Sequence, residues 1–198
     1  MSSPDSFLLT LRRDPDKALL LLSGALGLIT IGLAQSLYGP FFTAWRAAFD
    51  LSGSAVALST SLHFAGTTAA LVIGGFVIDR FGARGWLIGS SILFIAAVLV
   101  FAFSPVWVLM LPAAFMIGFA SGGLNSLNFV TAGAFTTYRS AALNILNALF
   151  GIGAMAAPLI AAPFVSEGLY APAFLSAAVL PAMLLLVLLL RPAKALSV

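Results

Sequence analysis

Residues 75–84 read GFVIDRFGAR and place Asp79, Arg80 and Arg84 within six positions of a chain that otherwise avoids charge. The residues from Gly85 to Tyr138 that follow carry no formal charge. Of the 198 residues, 62% are hydrophobic and 8% are charged, whereas a soluble domain has about a quarter charged residues. So few charges cannot cover a globule, and apolar stretches of about 18 or more residues predict membrane-spanning helices. We therefore expect a multi-pass membrane protein in which 75–84 is a loop between spans.

Breaks in the apolar pattern predict an all-α fold with six transmembrane spans. Ser104-Pro105 divides the long uncharged stretch, because proline lacks an amide donor and restricts the residue before it. Glu167-Gly168 separates the last two spans. The predicted spans are 18–44, 51–78, 86–104, 106–134, 140–165 and 169–190. They form a transmembrane domain over 18–190, between a cytoplasmic segment at 1–17 and a cytoplasmic tail at 191–198.

The basic residues predict the orientation of these spans, since lysine and arginine concentrate in short cytoplasmic loops. With the N-terminus inside, eight of the nine basic residues lie on the cytoplasmic side and only Arg46 lies outside. The eight are Arg12, Arg13, Lys17, Arg80, Arg84, Arg139, Arg191 and Lys194. We expect a cell-membrane protein, in a bacterial inner membrane, with both termini in the cytoplasm.

A short internal repeat predicts how the six spans are arranged. Span 1 contains the sequence IGLA at 31–34, and span 4 contains IGFA at 117–120. Each sequence lies in the first span of a three-span unit, and three crossings turn the second unit upside down. Inverted three-plus-three repeats are typical of several transporter folds, and we predict that arrangement here.

The loop between spans 2 and 3 resembles the signature of the major facilitator superfamily, G-x-x-x-D-R-x-G-R-[KR]. Ala83 replaces the first arginine after the second glycine, and the matching residues are Gly75, Asp79, Arg80, Gly82 and Arg84. The resemblance implies a secondary transporter that works by alternating access, with this loop latching one half of the molecule to the other. Arg139 is expected beside Asp79 of the opposite half, so it joins the predicted gating loop.

The resemblance covers one six-span half, because the family has twelve spans in two halves of the same orientation. We expect a homodimer, with a different six-span partner as the alternative. The tail also leaves open that the chain continues into a central loop, and a non-transporting membrane partner or scaffold is a further alternative. The family pattern joins the halves along spans 2 and 5. We assign to that interface two stripes, each a row of residues on one face of a helix: His63, Gly66, Thr67, Ala70 and Gly74 on span 2, and Asn147, Gly151, Ala154, Pro158 and Ala161 on span 5.

Polar residues at membrane depth are candidate functional residues. Those predicted to bind a small polar or organic solute are Gln35, Tyr38, Ser121, Asn125, Asn128, Asn144 and Asn147. Amides suit neutral polar or zwitterionic solutes. The alternative is that Asn128 bonds to Asn144, and Asn125 to Asn147, across an antiparallel hairpin, at about 0.6–2 kcal/mol per bond.

His63 is the candidate proton carrier, since it is the one histidine and no predicted span contains Asp or Glu. The alternative is a neutral histidine that makes an interhelical hydrogen bond. Clusters of His, Asp and Glu that could bind a metal are absent from the sequence, as is a phosphate-binding glycine loop after a strand. We therefore expect a protein that is not an enzyme, with no metal or cofactor and no nucleic-acid partner; its partners are lipid, solute and a second half.

Overall fold

The computed structural model describes residues 4–190; the predicted cytoplasmic residues Arg191 and Lys194 lie outside this range. The described residues form only helices and their connections. The helices are α1 (Pro4–Arg13), α2 (Pro15–Ser36), α3 (Tyr38–Phe49), α4 (Gly53–Phe103), α5 (Trp107–Leu124), α6 (Ser126–Ala134), α7 (Arg139–Val165), α8 (Tyr170–Ala177) and α9 (Val179–Leu190).

Five stretches of this described range are long and apolar enough to cross a membrane. They are Pro15–Phe49, Gly53–Phe103, Trp107–Ala134, Arg139–Val165 and Tyr170–Leu190. At 51 residues, α4 would be about 76 Å long if straight, more than twice the hydrocarbon thickness of about 30 Å.

Gly82 divides α4 into two crossings. Its φ of 77° and ψ of 152° are not helical, and a side chain added at Gly74 would lie 3.5 Å from the Trp86 ring. The chain therefore doubles back at Gly82. Span 2 covers residues 53–81 and span 3 covers 83–103, and the other four stretches are spans 1, 4, 5 and 6. The six predicted spans are confirmed, with ends within about five residues of those expected.

Span 1 begins at Pro15, three residues before the predicted position. Asp14 caps it, because the Asp14 carboxylate accepts a 3.1 Å hydrogen bond from the Lys17 amide and lies 3.4 Å from the Lys17 ammonium. The hydrogen bond from the Lys17 backbone amide and the nearby Lys17 ammonium lower the pKa of the Asp14 carboxyl. The predicted segment 1–17 thus contains a helix of its own, α1, and the start of span 1.

Glycine contacts show the inverted repeat directly. Gly32 of span 1 packs against the backbone of Phe150 and Ala154 in span 5, and Gly118 of span 4 packs against the backbone of His63 in span 2. The first span of each repeat therefore approaches the middle span of the other repeat. The reciprocal contacts follow the same rule: Gly153 with Ile29, and Gly66 with Phe115.

An aromatic cluster fills the end of the bundle opposite to the 75–84 loop. Trp45 and Phe101 are fully buried, and the Phe101 and Phe174 ring centroids are 4.5 Å apart. The cluster joins the ends of spans 1, 3, 4 and 6. Its members are Tyr38, Phe41, Trp45, Phe101, Trp107, Tyr170 and Phe174. These contacts tie the spans of one bundle together at that end.

Candidate functional site

A cavity of about 210 Å³ lies among spans 1, 2, 4 and 5. Five of the seven residues predicted to bind solute line it: Gln35, Ser121, Asn125, Asn128 and Asn147. The remaining lining residues are Leu28, Ile31, Thr67 and Phe150. None of these nine side chains carries a charge.

Span 4 is slightly distorted at this cavity. α5 ends at Leu124 and α6 begins at Ser126, so Asn125 forms the junction. Asn125 keeps right-handed helical dihedrals and its amide donates to the Ser121 carbonyl, so the span continues through it. Span 1 has a similar junction at Leu37, which is also right-handed helical, close to the matching position of the other repeat. Both first spans therefore have such a junction near a cavity-lining amide, which is Gln35 in span 1.

The asparagines of span 4 leave one acceptor free. The Asn128 side-chain amide donates a 2.8 Å hydrogen bond to the Asn125 carbonyl oxygen. The Asn128 oxygen Oδ1 is buried and has no hydrogen-bond partner among residues 4–190. A buried unpaired acceptor costs about 1–3 kcal/mol, so this atom is suited to a ligand donor or a bound water. By contrast, the Ser121 hydroxyl is already used, since it donates to the Ile117 carbonyl at 2.8 Å.

Tyr38 and Asn144 do not line the cavity. Tyr38 is buried in the aromatic cluster, and Asn144 lies exposed on span 5, about one turn before Asn147. The hydrogen bonds expected across the hairpin of spans 4 and 5 do not form within the described range. Asn128 bonds instead within its own span, because residues three apart on a helix are neighbours.

His63 lies outside the cavity. Its Nδ1 is 3.3 Å from the Tyr38 hydroxyl, so the pair links span 2 to span 1. The side chain is fully buried, and its Nε2 has no partner. This geometry is that of the interhelical hydrogen bond considered as the alternative, and it gives His63 no contact with the cavity.

The 75–84 loop binds within its own bundle. Arg84 donates two hydrogen bonds, from Nε at 3.1 Å and from a terminal nitrogen at 2.6 Å, to the carbonyl of Leu188 in the last turns of span 6. Asp79, Arg80 and Arg139 are exposed. No ion pair joins Asp79 to Arg139 within the described residues, since Lys17–Asp14 is the one ion pair there.

Gly75 and Gly82 have free space around them, so a side chain at either would meet no neighbouring atom. Gly82 is required for its positive φ, whereas Gly75 lies on an exposed part of span 2. Asp79 lines a second cavity of about 310 Å³ together with Ser126 and mainly apolar residues, which include Trp86 and Phe129. The predicted contact of this loop with an opposite half stays a prediction.

The stripe predicted for the span 2 interface packs inside the bundle instead. His63, Gly66, Ala70 and Gly74 are buried, because span 4 approaches the first three closely and Trp86 of span 3 lies next to Gly74. The exposed face of span 2 lies beside this stripe and carries Phe64, Leu71, Val72, Ile73 and Phe76.

Two features of the site were missed by sequence reasoning. The sequence analysis assigns Thr67 to the interface stripe of span 2, but Thr67 lines the cavity, and its hydroxyl lies 3.0 Å from the carbonyls of both His63 and Gly118. Phe150 supplies an apolar wall of the cavity. An asparagine one turn before it, Asn147, was the available indication that this face of span 5 is polar.

The model of the Major Facilitator Superfamily matches residues 24–197. The chain belongs to this superfamily. Among solved structures it is similar to the POT family transporter PepTSo, with a TM-score of 0.73, 18% identity and 89% of this chain covered. The chain spans 37% of that protein's length. Among curated proteins, none is similar enough to count as a relative. Membership confirms the resemblance of the 75–84 loop, and the solved structure confirms the fold.

Proposed function

We propose that this chain is one half of a secondary transporter that moves a small, neutral, polar solute by alternating access, and that a second copy of the chain supplies the other half. The uncharged, amide-lined cavity among spans 1, 2, 4 and 5 is the observation on which the proposal depends. Membership of the superfamily supports the transport class, and the cavity supports the type of solute.

The lining favours an uncharged solute. A carboxylate or ammonium group taken from water into a low-dielectric site costs many kcal/mol unless it is paired. The cavity provides amide and hydroxyl groups, such as Asn125, Asn147 and the unpaired oxygen of Asn128, but no countercharge. Hydroxyl groups of a solute could donate to that oxygen and accept from the amides. Of the two solute types expected from the sequence, the neutral one fits better.

The exposed polar residues of span 5 support the proposal of a second half. Asn144 and Asn147 are exposed on span 5, and exposed amides at membrane depth are costly in lipid. Span 2 borders the same cavity through Thr67, and Leu71, one turn farther on, is exposed beside the second cavity. A parallel twofold dimer would cover both spans, since halves of this family share one orientation.

Uptake into proteoliposomes tests the proposal. The probes are a labelled hexitol, a dipeptide and lactate, which are neutral, zwitterionic and anionic in turn. We expect saturable uptake of the hexitol, and a loss of about tenfold in Asn128→Ala, since one well-made polar contact is worth about 1.4 kcal/mol. Ser121→Ala is the matched control, because its hydroxyl is already bonded to the backbone.

Three results would count against the proposal in different ways. Uptake of the dipeptide or of lactate alone would keep transport and overturn the neutral solute. Equal loss in the Ser121 and Asn128 variants would move the site elsewhere. An absence of uptake for all three probes, in protein that is folded and assembled, would favour the non-transporting partner. His63→Gln tests proton coupling separately, and pH-driven uptake that survives this change would exclude His63 as the carrier.

A further inference from the structure

The N-terminal helix α1 has two different faces. Phe7 is buried, and its ring packs against Phe135 at 5.8 Å and Tyr138 at 5.7 Å between centroids. This aromatic contact fixes α1 to the loop between spans 4 and 5. The helix is therefore attached to the bundle through one face, and the leucine side chains on its opposite face, the free face, are exposed.

The free face is apolar at one end and cationic at the other. Leu8 is 57% exposed and Leu9 is 49% exposed, and Arg12 and Arg13 follow one turn later, also exposed. Two leucines left open beside two arginines are unfavourable in water alone. The same arrangement is favourable at a bilayer surface, where leucine enters the acyl boundary and arginine extends to the headgroups.

The position of α1 places this face at such a surface. Asp14 alone separates α1 from the first residue of span 1, so the helix lies where the chain enters the membrane. Arg139 follows Tyr138, to which Phe7 binds, and is itself exposed. The N-terminal end of span 5 therefore adds a third cation to the same end of the bundle.

We propose that α1 lies in the plane of the membrane surface and docks on anionic lipid headgroups. Leu8 and Leu9 enter the boundary of the hydrocarbon, and Arg12 and Arg13 bind lipid phosphates. The occupant is a lipid surface because the face combines exposed leucines with positive charge, whereas a soluble anion would use only the charge. Docking rests on α1 and its aromatic contact, so it does not depend on the proposed function.

The aromatic contact gives the docking a consequence for the bundle. Phe135 ends span 4, and Tyr138 precedes the first residue of span 5. These two spans carry Asn128 and Asn147, which line the cavity. Lipid that holds α1 at the surface therefore also holds the hairpin of spans 4 and 5 through Phe7. Loss of docking should loosen this hairpin without changing the cavity residues themselves.

Quenching of a label at position 9 tests the docking. The chain has no cysteine, so Leu9→Cys can carry a single fluorophore, and the full chain is placed in vesicles of phosphatidylcholine with or without phosphatidylglycerol. We expect acrylamide to quench the label less in the anionic vesicles. Replacing Arg12 and Arg13 with glutamine should weaken docking about fivefold for each arginine. High salt should also weaken docking.

Ala48→Cys is the matched control, since it is exposed near the end of span 1, away from α1. Quenching at position 48 should not respond to the anionic lipid. The proposal is overturned if position 9 is quenched equally in both vesicles, or if the glutamine variant keeps the full response. Protection at position 9 that grows with protein density in neutral vesicles would show a second protein on this face, and would also overturn it.

Discussion

Gly118 and Gly32 are two of the residues at which the bundle leaves no room for a side chain. A methyl group at Gly118 would overlap the backbone of His63, and one at Gly32 would overlap that of Phe150. We expect Gly118→Ala and Gly32→Ala each to lower the stability of the bundle by about 1–3 kcal/mol, the usual cost of overpacking. The two losses should be similar because the repeat makes the two contacts equivalent.

Gly89→Ala is the control for this prediction. It lies within α4 and has no neighbouring atom where a methyl group would be, so the change should stabilise by about 0.5–1 kcal/mol. Thermal unfolding in a mild detergent compares all three variants. A tolerated Gly118→Ala, with unchanged unfolding temperature, would contradict the close packing of spans 2 and 4.

At the residue scale, the sequence predicted which residues line the cavity better than it predicted the hydrogen bonds of those residues. Amides in apolar spans are costly unless they have a use, and five of the predicted polar residues meet at one cavity. Tyr38 could not be separated from them by residue type. Its place depends on rings contributed by distant spans, such as Phe101 and Phe174, which no local pattern reveals.

The backbone conformation of the 75–84 loop depends on a single residue, Gly82. Its φ of 77° and ψ of 152° belong to a region that is essentially restricted to glycine, at a cost of about 1–3 kcal/mol for other residues. We expect Gly82→Ala to destabilise the hairpin of spans 2 and 3 by this amount. Since no atom lies near the added methyl group, the whole effect would come from the backbone.

Gly85→Ala is the matched control, because Gly85 also has open space around it but no positive φ. It should leave stability unchanged or slightly raise it. The measurement is the denaturant midpoint of the reconstituted protein. Equal midpoints for the two variants would mean that the turn does not need a left-handed residue.

Arg84 stabilises the C-terminal turns of span 6. Its two hydrogen bonds to the Leu188 carbonyl satisfy an acceptor near a helix end, where partners within the helix run out. We expect Arg84→Gln to speed amide exchange in the last turns of span 6 by about tenfold, since a bond to a charged donor is worth roughly 1.5–3 kcal/mol. Hydrogen exchange with mass spectrometry measures this.

Arg80→Gln serves as the comparison for Arg84. Arg80 is exposed, and its contact is with the neighbouring Phe81 ring at 5.6 Å, so exchange in span 6 should not change. If Arg80→Gln and Arg84→Gln have the same effect, the general charge of the loop would matter more than the bond to Leu188. The prediction would then fail.

At the element scale, the positions of the spans could be predicted from the sequence. Which face of each span packs inside the bundle could not. Apolar length and proline placed all six spans, because lipid demands continuous helices. Small residues on span 2 indicated close packing, but composition does not say whether the neighbour belongs to the same chain. The neighbour is span 4, through Gly118 and Gly122. The ten residues of α1 were missed because they are short and mixed in charge.

The whole molecule is expected to be a dimer whose copies meet across the cavity. Thr67 contacts Gly122 in span 4, and Gly32 of span 1 contacts Phe150 in span 5. Gly27 of span 1 contacts Leu124 and Leu127 of span 4, and these two spans are antiparallel. Gly32 is therefore about level with Gly122, and Thr67 is about level with Gly151. Spans 2 and 5 run in opposite directions, so Leu71 and Ala148 lie at equal depth, one turn nearer to the 75–84 loop.

Disulfide trapping in native membranes tests this arrangement. The double variant Leu71→Cys with Ala148→Cys should give a covalent dimer, because both positions are exposed and each copy would present both. Leu71→Cys with Leu159→Cys is the control. Leu159 is also exposed but lies eleven residues beyond Ala148 along the helix, about 16 Å away in depth. It should not form the bond.

The two cysteine pairs distinguish a specific contact between the copies from random collision in the membrane. If both crosslink equally, the copies meet at random and no specific dimer exists. If neither crosslinks while proteoliposomes holding a single copy each still take up solute, then the exposed amides of Asn144 and Asn147 must face water rather than a partner. In that case one bundle encloses its own path, and the second half is not needed for transport.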